Sequence, residues 1–206
     1  MKLFSQSFKK NSYLHDKYTL NSNISISNLN PHLAWEDIPK DTKSFALLMS
    51  DPDVPSDKNM ILDSSQSIPS SAPRSTIYHW VLYNIPISIC EIKEAENSEN
   101  FLIGGKKDIY HKYGVSGIND YTKWFSDDDI MRGNYYGYDG PCPPPHDEKI
   151  HSYIFTLYAL NTEEIIFTEE AVTGDILKCK ISPFIIEEVS ISAQYSNNTN
   201  LILNIN

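Results

Sequence analysis

Three runs of mostly apolar residues stand out along the chain, at positions 44–50, 78–85 and 152–160. Each run has the length of a β-strand, and its apolar side chains occupy neighbouring positions rather than every second one. The run at 44–50 is nearly continuous, which is typical of a strand that is covered on both faces. The three runs therefore predict three strong strands.

Weaker patterns predict the elements around these strands. Apolar and polar residues alternate at 2–8, 24–27 and 187–195, which indicates further strands. A helical pattern runs over 168–180, with Thr168 as its N-cap. Pro52 and Pro55 follow the first strong run. Because proline cannot donate a ladder hydrogen bond, we expect that strand to end at Asp51.

Long irregular segments separate the strands, chiefly 56–75 and 104–145, and no regular alternation of strands and helices is present. Long loops held by a rigid sheet often carry functional residues. Residues 1–206 are therefore expected to form a single domain of the mostly β class. The expected architecture is an antiparallel β-sandwich with one or two peripheral helices.

The composition argues against several classes of partner. The formal net charge is −10, and 17 lysine and arginine residues face 27 acidic ones. Binding to nucleic acid or to an anionic membrane requires clustered positive charge, so neither is expected. No signal peptide is apparent, and no run approaches the roughly 18 apolar residues of a transmembrane segment. Cys90, Cys142 and Cys179 are too widely spaced for a disulfide framework, so we expect a cytoplasmic protein.

Polar residues that could take part in binding or catalysis lie beside the three strong strands. Asp51 and Asp53 directly follow the first strand. His79 lies near the start of the second, and His151 directly precedes the third. If the strands are neighbours, a carboxylate and two imidazoles meet at one edge of the sheet. Taken singly, a histidine in a strand is more often a hydrogen-bonded structural residue, and Asp-Pro is often only a turn.

Five segments resemble motifs of one known family and occur in the family's order. They are 44–55 (SFALLMSDPDVP), 78–86 (YHWVLYNIP), 117–121 (GINDY), 138–144 (YDGPCPP) and 151–160 (HSYIFTLYAL). Through these segments the chain resembles the phosphatidylethanolamine-binding proteins, and among them the bacterial YbhB/YbcL-like branch. The similarity spans about residues 33–160 and weakens toward the C-terminus.

The resemblance implies a function and a site. Members of the family bind phosphate, phosphorylated head groups and similar anions in a shallow pocket at one end of a β-sandwich. The implied function is binding of a small anionic or phosphorylated ligand, such as a phosphoethanolamine-like head group, without a cofactor. A regulatory role, like that of a kinase or protease inhibitor, would add a protein partner. The implied ligand-binding residues are Asp51, His79, His151, Tyr153, Pro55, Gly140 and Pro141.

These residue types suit an anion. A phosphate oxygen accepts hydrogen bonds from imidazole N–H groups, more strongly when the ring is protonated. We expect Asp51 to favour the imidazolium form and to orient it. The carboxylate would also accept a hydrogen bond from a protonated phosphate or a head-group ammonium. Binding is expected to be weak and to strengthen at mildly acidic pH.

Two features depart from the family pattern. Ser152 stands where relatives commonly have arginine, which removes a basic side chain near the pocket. The segments 56–75 and 124–136 are longer or more acidic than the pattern requires. Both segments are candidates to cover the pocket or to form another contact surface.

Two other functions stay open at the level of sequence. One is a hydrolase in which Cys142 is the nucleophile and His79 or His151 the base, although the loop offers no helix N-terminus to lower the thiol pKa. The other is a metal site formed by His146, Asp147 and His151, whose spacing suits zinc. Solvated surface groups are the simpler explanation there, and we expect no bound metal.

Overall fold

The computed structural model describes residues 1–20, 27–98, 100–107 and 109–202. The strands are β1 (Lys2–Phe4), β2 (Leu33–Glu36), β3 (Ser44–Pro55), β4 (Arg74–Pro86), β5 (Glu91–Ile92), β6 (Tyr110–His111), β7 (Gly114–Ser116), β8 (His151–Leu160) and β9 (Ile185–Tyr195). The α-helices are α1 (Lys58–Leu62), α2 (Tyr121–Trp124), α3 (Gly174–Ile181) and α4 (Thr199–Ile202). Most of the strand predicted at 24–27 lies outside the described residues.

The strands form two antiparallel sheets, which confirms the predicted mostly β class. The larger sheet has the order β6-β7-β4-β3-β8-β9, and the smaller one has the order β1-β2-β5. The three strong apolar runs correspond to β3, β4 and β8. They are the central strands of the larger sheet, with β3 paired to β4 on one side and to β8 on the other.

Packing on both faces of β3 explains its continuous apolar run. Phe45, Leu47 and Met49 point to one face and join the core that includes residues of β1 and β2. Ala46 and Leu48 point to the opposite face and pack with residues of α3. A strand buried on both sides needs apolar residues at successive positions, as the sequence indicated.

The prediction that the first strong strand ends at Asp51 is wrong. Strand β3 continues to Pro55, and its pairing with β4 shifts register between Asp51, which pairs with Ile77, and Val54, which pairs with Ser75. A register shift of this kind, a bulge, leaves local backbone groups out of the ladder. Proline residues are tolerated at such irregularities because no ladder hydrogen bond is required of them there.

The prediction that the helix starts at Thr168 is also wrong. Helix α3 begins at Gly174, and the hydroxyl of its N-cap Thr173 accepts a hydrogen bond from the amide of Ile176. The start is fixed by packing, because a Cβ atom on Gly174 would lie 2.2 Å from the ring of Tyr78. Only glycine lets the helix approach β4 this closely.

Candidate functional site

The antiparallel arrangement of β3, β4 and β8 brings the sequence-predicted residues to one end of the larger sheet. Asp51 lies in the last part of β3, where it pairs with Ile77 of β4. His79 lies two residues further along β4, and His151 is the first residue of β8. Because both neighbours run opposite to β3, their early residues meet its late ones. The strand topology therefore brings these three residues to one end of the sheet.

A cavity of about 1040 Å³ opens at this end of the sheet. Five of the predicted residues line it, namely Asp51, Pro55, His79, His151 and Tyr153. Gly140 and Pro141 are buried behind the cavity instead. The carbonyl of Gly140 accepts a hydrogen bond of 2.9 Å from the hydroxyl of Tyr121, a residue that does line the cavity. The glycine therefore shapes the cavity through Tyr121.

His151 is held between two carboxylates. Its Nδ1 lies 2.7 Å from Oδ2 of Asp51, and its Nε2 lies 3.1 Å from Oδ2 of Asp147. Burial acts to lower the pKa of His151, but the hydrogen bonds and charges of Asp147 and Asp51 outweigh it and raise this pKa to about 9. The ring is therefore an imidazolium at neutral pH, and both of its N–H groups donate to the protein.

Asp147 is fixed in turn by Arg74. The guanidinium donates two hydrogen bonds to the carboxylate, at 2.5 and 3.0 Å, and a third to the carbonyl of Asp53. Burial acts to raise the pKa of Asp147, but the hydrogen bonds from His151 and Arg74 prevail and lower it to about 2. We call the group of Asp51, His151, Asp147 and Arg74 the ionic clamp. Its formal charges cancel.

His79 differs from His151 in its protonation state. Its Nδ1 lies 2.9 Å from the carbonyl oxygen of Asp139, and because a carbonyl can only accept, Nδ1 carries the proton. Burial lowers the pKa of His79, against the smaller opposing effects of Asp51, Asp120 and Asp139. The ring is therefore neutral at neutral pH, and Nε2 presents a lone pair.

Two polar atoms at the bottom of the cavity have no hydrogen-bond partner within the described ranges. They are Nε2 of His79 and the hydroxyl of Tyr153. Their rings meet edge to face, with centroids 5.4 Å apart. Burial, followed by the charge of Asp51 and a smaller hydrogen-bonding effect of the same carboxylate, raises the pKa of Tyr153 well above its usual value, so the hydroxyl keeps its proton. A buried polar group without a partner costs about 1–3 kcal/mol, which a ligand that pairs with these atoms would recover.

The remaining candidates play other parts. Asp53 accepts a hydrogen bond from the Ser152 amide and pairs with Lys149, so it holds the start of β8. His146 bonds the carbonyl of Met60, and the residues that the structure describes contain no group of ligands arranged for a metal ion. Cys142 lines the cavity, but burial raises the pKa of its thiol. This shift is opposite to the one that favours a thiolate nucleophile.

Sequence reasoning missed three residues that set the state of the two histidines. Asp147 and Arg74 belong to the ionic clamp, and Asp139 fixes the tautomer of His79. Asp139 carries its own ion pair, because its Oδ1 lies 2.9 Å from Nζ of Lys106. Asp139 lies within the recognised 138–144 segment, which was the available signal. Asp147 was considered only as a metal ligand.

Comparison with known proteins places the chain in a family. A family model described as phosphatidylethanolamine-binding protein matches residues 4–196. The chain belongs to the phosphatidylethanolamine-binding protein family. It is 30% identical over 195 residues to a UPF0098 protein of Aquifex aeolicus, covering 95% of this chain and 88% of the relative. It is 26% identical to the UPF0098 protein YbhB of Escherichia coli, covering 95% of this chain and all of YbhB.

Solved structures of this family share the fold. The crystal structure of Escherichia coli YbcL, described as a new member of the mammalian PEBP family, aligns with a TM-score of 0.67 at 24% identity, covering 95% of this chain and 97% of YbcL. A homologue from Chlamydia trachomatis aligns with a TM-score of 0.61, also at 24% identity, covering 94% and 95% of the two chains. The resemblance to YbhB and YbcL that the sequence suggested is therefore confirmed. In the described part of the chain, no helix is long and apolar enough to cross a bilayer.

Proposed function

We propose that this family member binds a small phosphorylated ligand in its singly protonated form, with the phosphate at Nε2 of His79 and the hydroxyl of Tyr153. The observation that carries the proposal is the pair of buried polar atoms without partners at the bottom of a large cavity. A phosphate P–OH group can donate to Nε2, while a phosphate oxygen accepts from the tyrosine hydroxyl. His79 and Tyr153 thus match one donor and one acceptor of the same head group.

The charges of the site favour the singly charged phosphate over the dianion. The ionic clamp sums to zero, and both N–H groups of His151 are occupied, so no free cation faces the ligand from it. Asp120 also lines the cavity. Burial raises the pKa of this carboxyl, which limits but does not remove its repulsion of an anion. Lys58 and Lys123 also line the cavity, but neither belongs to the ionic clamp. A dianion bound at His79 therefore meets the carboxylates of the site without a positive charge from the clamp.

A zwitterionic head group fits the same cavity better than a bare phosphate. Asp120 and Asp175 both line it, and the charge of Asp175 contributes to the raised pKa of Asp120. An ammonium group near these two carboxylates would relieve their mutual repulsion. We therefore infer a phosphoethanolamine-like ligand. The kinase- or protease-inhibitor-like role implied by the resemblance rests on the family alone, so we confine the proposal to ligand binding.

The test is calorimetric titration with methyl phosphate and phosphoethanolamine at several pH values. The complex holds one proton between Nε2 of His79 and the phosphate, so affinity should fall about tenfold per pH unit above the second pKa of the monoester, near 6. Phosphoethanolamine should bind more tightly than methyl phosphate. Sulfate, which carries no proton in this range, should bind more weakly than either.

Matched variants separate the site from general effects. His79→Ala and Tyr153→Phe should each weaken methyl phosphate binding at least about tenfold, because each removes one hydrogen bond to a charged group. His15→Ala and Tyr110→Phe alter exposed residues of the same types and should leave binding unchanged. Because Tyr153→Phe keeps the aromatic ring, it still tests the site if His79→Ala fails to fold. Full affinity in both site variants, or equal affinity for sulfate, contradicts the proposal.

A further inference from the structure

The cavity continues from the polar residues at its bottom along a wall of aromatic side chains. We call Phe101, Tyr121, Trp124 and Phe125 the aromatic wall, and all four line the cavity. Tyr121 joins the wall to the polar bottom, because its ring lies 5.5 Å from that of His79. It stacks on Phe125 with centroids 5.7 Å apart and an angle of 14° between the rings. The aromatic wall therefore begins next to the proposed position of the phosphate.

Two of the four wall residues belong to one of the segments that depart from the family pattern, and the other segment contacts one of them. Trp124 and Phe125 begin the acidic segment 124–136, and Lys58 belongs to the segment 56–75. The Lys58 ammonium lies 5.0 Å from the centre of the Trp124 ring, and its Nζ donates to the Trp124 carbonyl at 3.3 Å. A cation over an indole face is attracted by the ring. The two segments therefore support each other at the cavity.

The segment 56–75 is anchored to the body of the protein. Ile68 is buried, its amide donates to the carbonyl of His146 at 2.9 Å, and its carbonyl accepts from the amide of Glu148 at 2.9 Å. Arg74 adds a hydrogen bond to the carbonyl of Pro69. The anchored segment holds Lys58 against Trp124. A wall that is supported in this way can bind a ligand without a large ordering cost.

The size of the cavity exceeds what a head group needs. Sites for drug-sized ligands have volumes of roughly 300–1000 Å³, and this cavity, at about 1040 Å³, reaches the top of that range. Beyond the bottom, Ile61 and Pro143 add apolar surface to that of the aromatic side chains, and charged residues such as Lys58, Lys123 and Asp127 line the cavity beside them. A phosphate alone would leave this apolar surface in contact with water, whereas an apolar substituent would cover it.

We propose that the cavity also accepts phosphomonoesters with an aromatic or similarly compact apolar substituent, which packs on the aromatic wall. The assignment rests on the proposed function, because the phosphate end is placed at His79 and Tyr153. It adds a second class of substituent to the ammonium-bearing one inferred above. Stacking on Tyr121 and Phe125 selects flat, apolar groups, since aromatic pairs gain from offset and edge-to-face geometries.

The experiment compares phenyl phosphate with methyl phosphate by calorimetry on the intact protein. Both are monoesters with similar phosphate charge, so the difference between them reports on the substituent. Phenyl phosphate should bind at least about tenfold more tightly, because a phenyl ring buries more than 50 Å² of additional apolar surface, roughly. Equal affinity for the two ligands would overturn the assignment of the wall, while leaving the phosphate site intact.

Two phenylalanine variants test whether the preference for phenyl phosphate arises at the aromatic wall. Phe125→Ala should reduce the preference for phenyl phosphate to within about threefold, and its affinity for methyl phosphate shows that the phosphate site has stayed folded. Phe4→Ala removes a phenylalanine that is 41% exposed in β1, outside the cavity, and should keep the full preference. A preference for phenyl phosphate that survives in Phe125→Ala overturns the assignment of the aromatic wall as the binding surface for the substituent. Failure of both ligands to bind the unmodified protein overturns the proposed function together with it.

Discussion

Replacement of His151 by asparagine tests the ionic clamp through its effect on stability. The pKa of His151 is about 9 in the folded protein, against about 6.5 for a histidine in the unfolded chain. At about 1.4 kcal/mol per unit of pKa, this difference amounts to about 3 kcal/mol of folding free energy. The side chain is only 1% exposed, so screening by solvent does not reduce this figure appreciably.

The direction of the pH dependence follows from the raised pKa. Below about pH 6.5 the imidazole is protonated in both states, so the contribution of His151 is fully present there. As the pH rises toward and through 9, the folded state must release a proton that the unfolded state has already lost. The contribution is therefore lost over this range.

The assay is urea denaturation of the wild-type protein and His151→Asn at a series of pH values from 6 to 10. The difference in free energy of unfolding between the two proteins should shrink by about 3 kcal/mol over this range. Groups that titrate in both proteins cancel in the difference. His15→Asn, which removes an exposed histidine, should show no such change relative to wild type. A wild-type-minus-variant difference that stays flat with pH would refute the imidazolium assignment.

Three further predictions concern other parts of the site and fold. Arg74→Ala should destabilise the protein by about 3–5 kcal/mol in urea, because the buried carboxylate of Asp147 then keeps only His151 as a charged partner. Arg132→Ala, at a largely exposed side chain, should change stability by less than about 0.5 kcal/mol. Gly174→Ala should cost about 1–3 kcal/mol in the same assay despite the better helix propensity of alanine, since the new methyl group would overlap the ring of Tyr78; unchanged stability would show that the helix can move away. Cys142→Ser should bind methyl phosphate as the wild type does, and phosphate release by the wild type that is lost in this variant would instead support a hydrolase.

The sequence predicted those features that depend on local pattern. The runs at 44–50, 78–85 and 152–160 indicate strands, the first of them covered on both faces, and they form the three central strands of the larger sheet. The positions of Asp51, His79 and His151 relative to those runs were enough to suggest their convergence. Antiparallel pairing of neighbouring strands then placed all three at one end of the sheet.

The features that the sequence did not predict depend on contacts between distant loops. Asp147 and Arg74 are 73 positions apart and form their ion pair only in the folded chain. The tautomer of His79 is set by a backbone carbonyl, that of Asp139, and no residue type in the sequence encodes such a contact. The expectation of two imidazoles donating to a phosphate took no account of these partners. Of the two imidazoles, the structure leaves a free ring nitrogen on His79 and none on His151.

The central claim is that the ligand meets His79 and not His151. The most direct measurement is NMR of the imidazole nitrogens during titration with methyl phosphate at neutral pH. We predict that free His79 shows a protonated Nδ1 and an unprotonated Nε2, and that Nε2 shifts as the ligand binds. The doubly protonated ring of His151 should stay nearly unchanged. A shift at His151 with none at His79 would contradict the account.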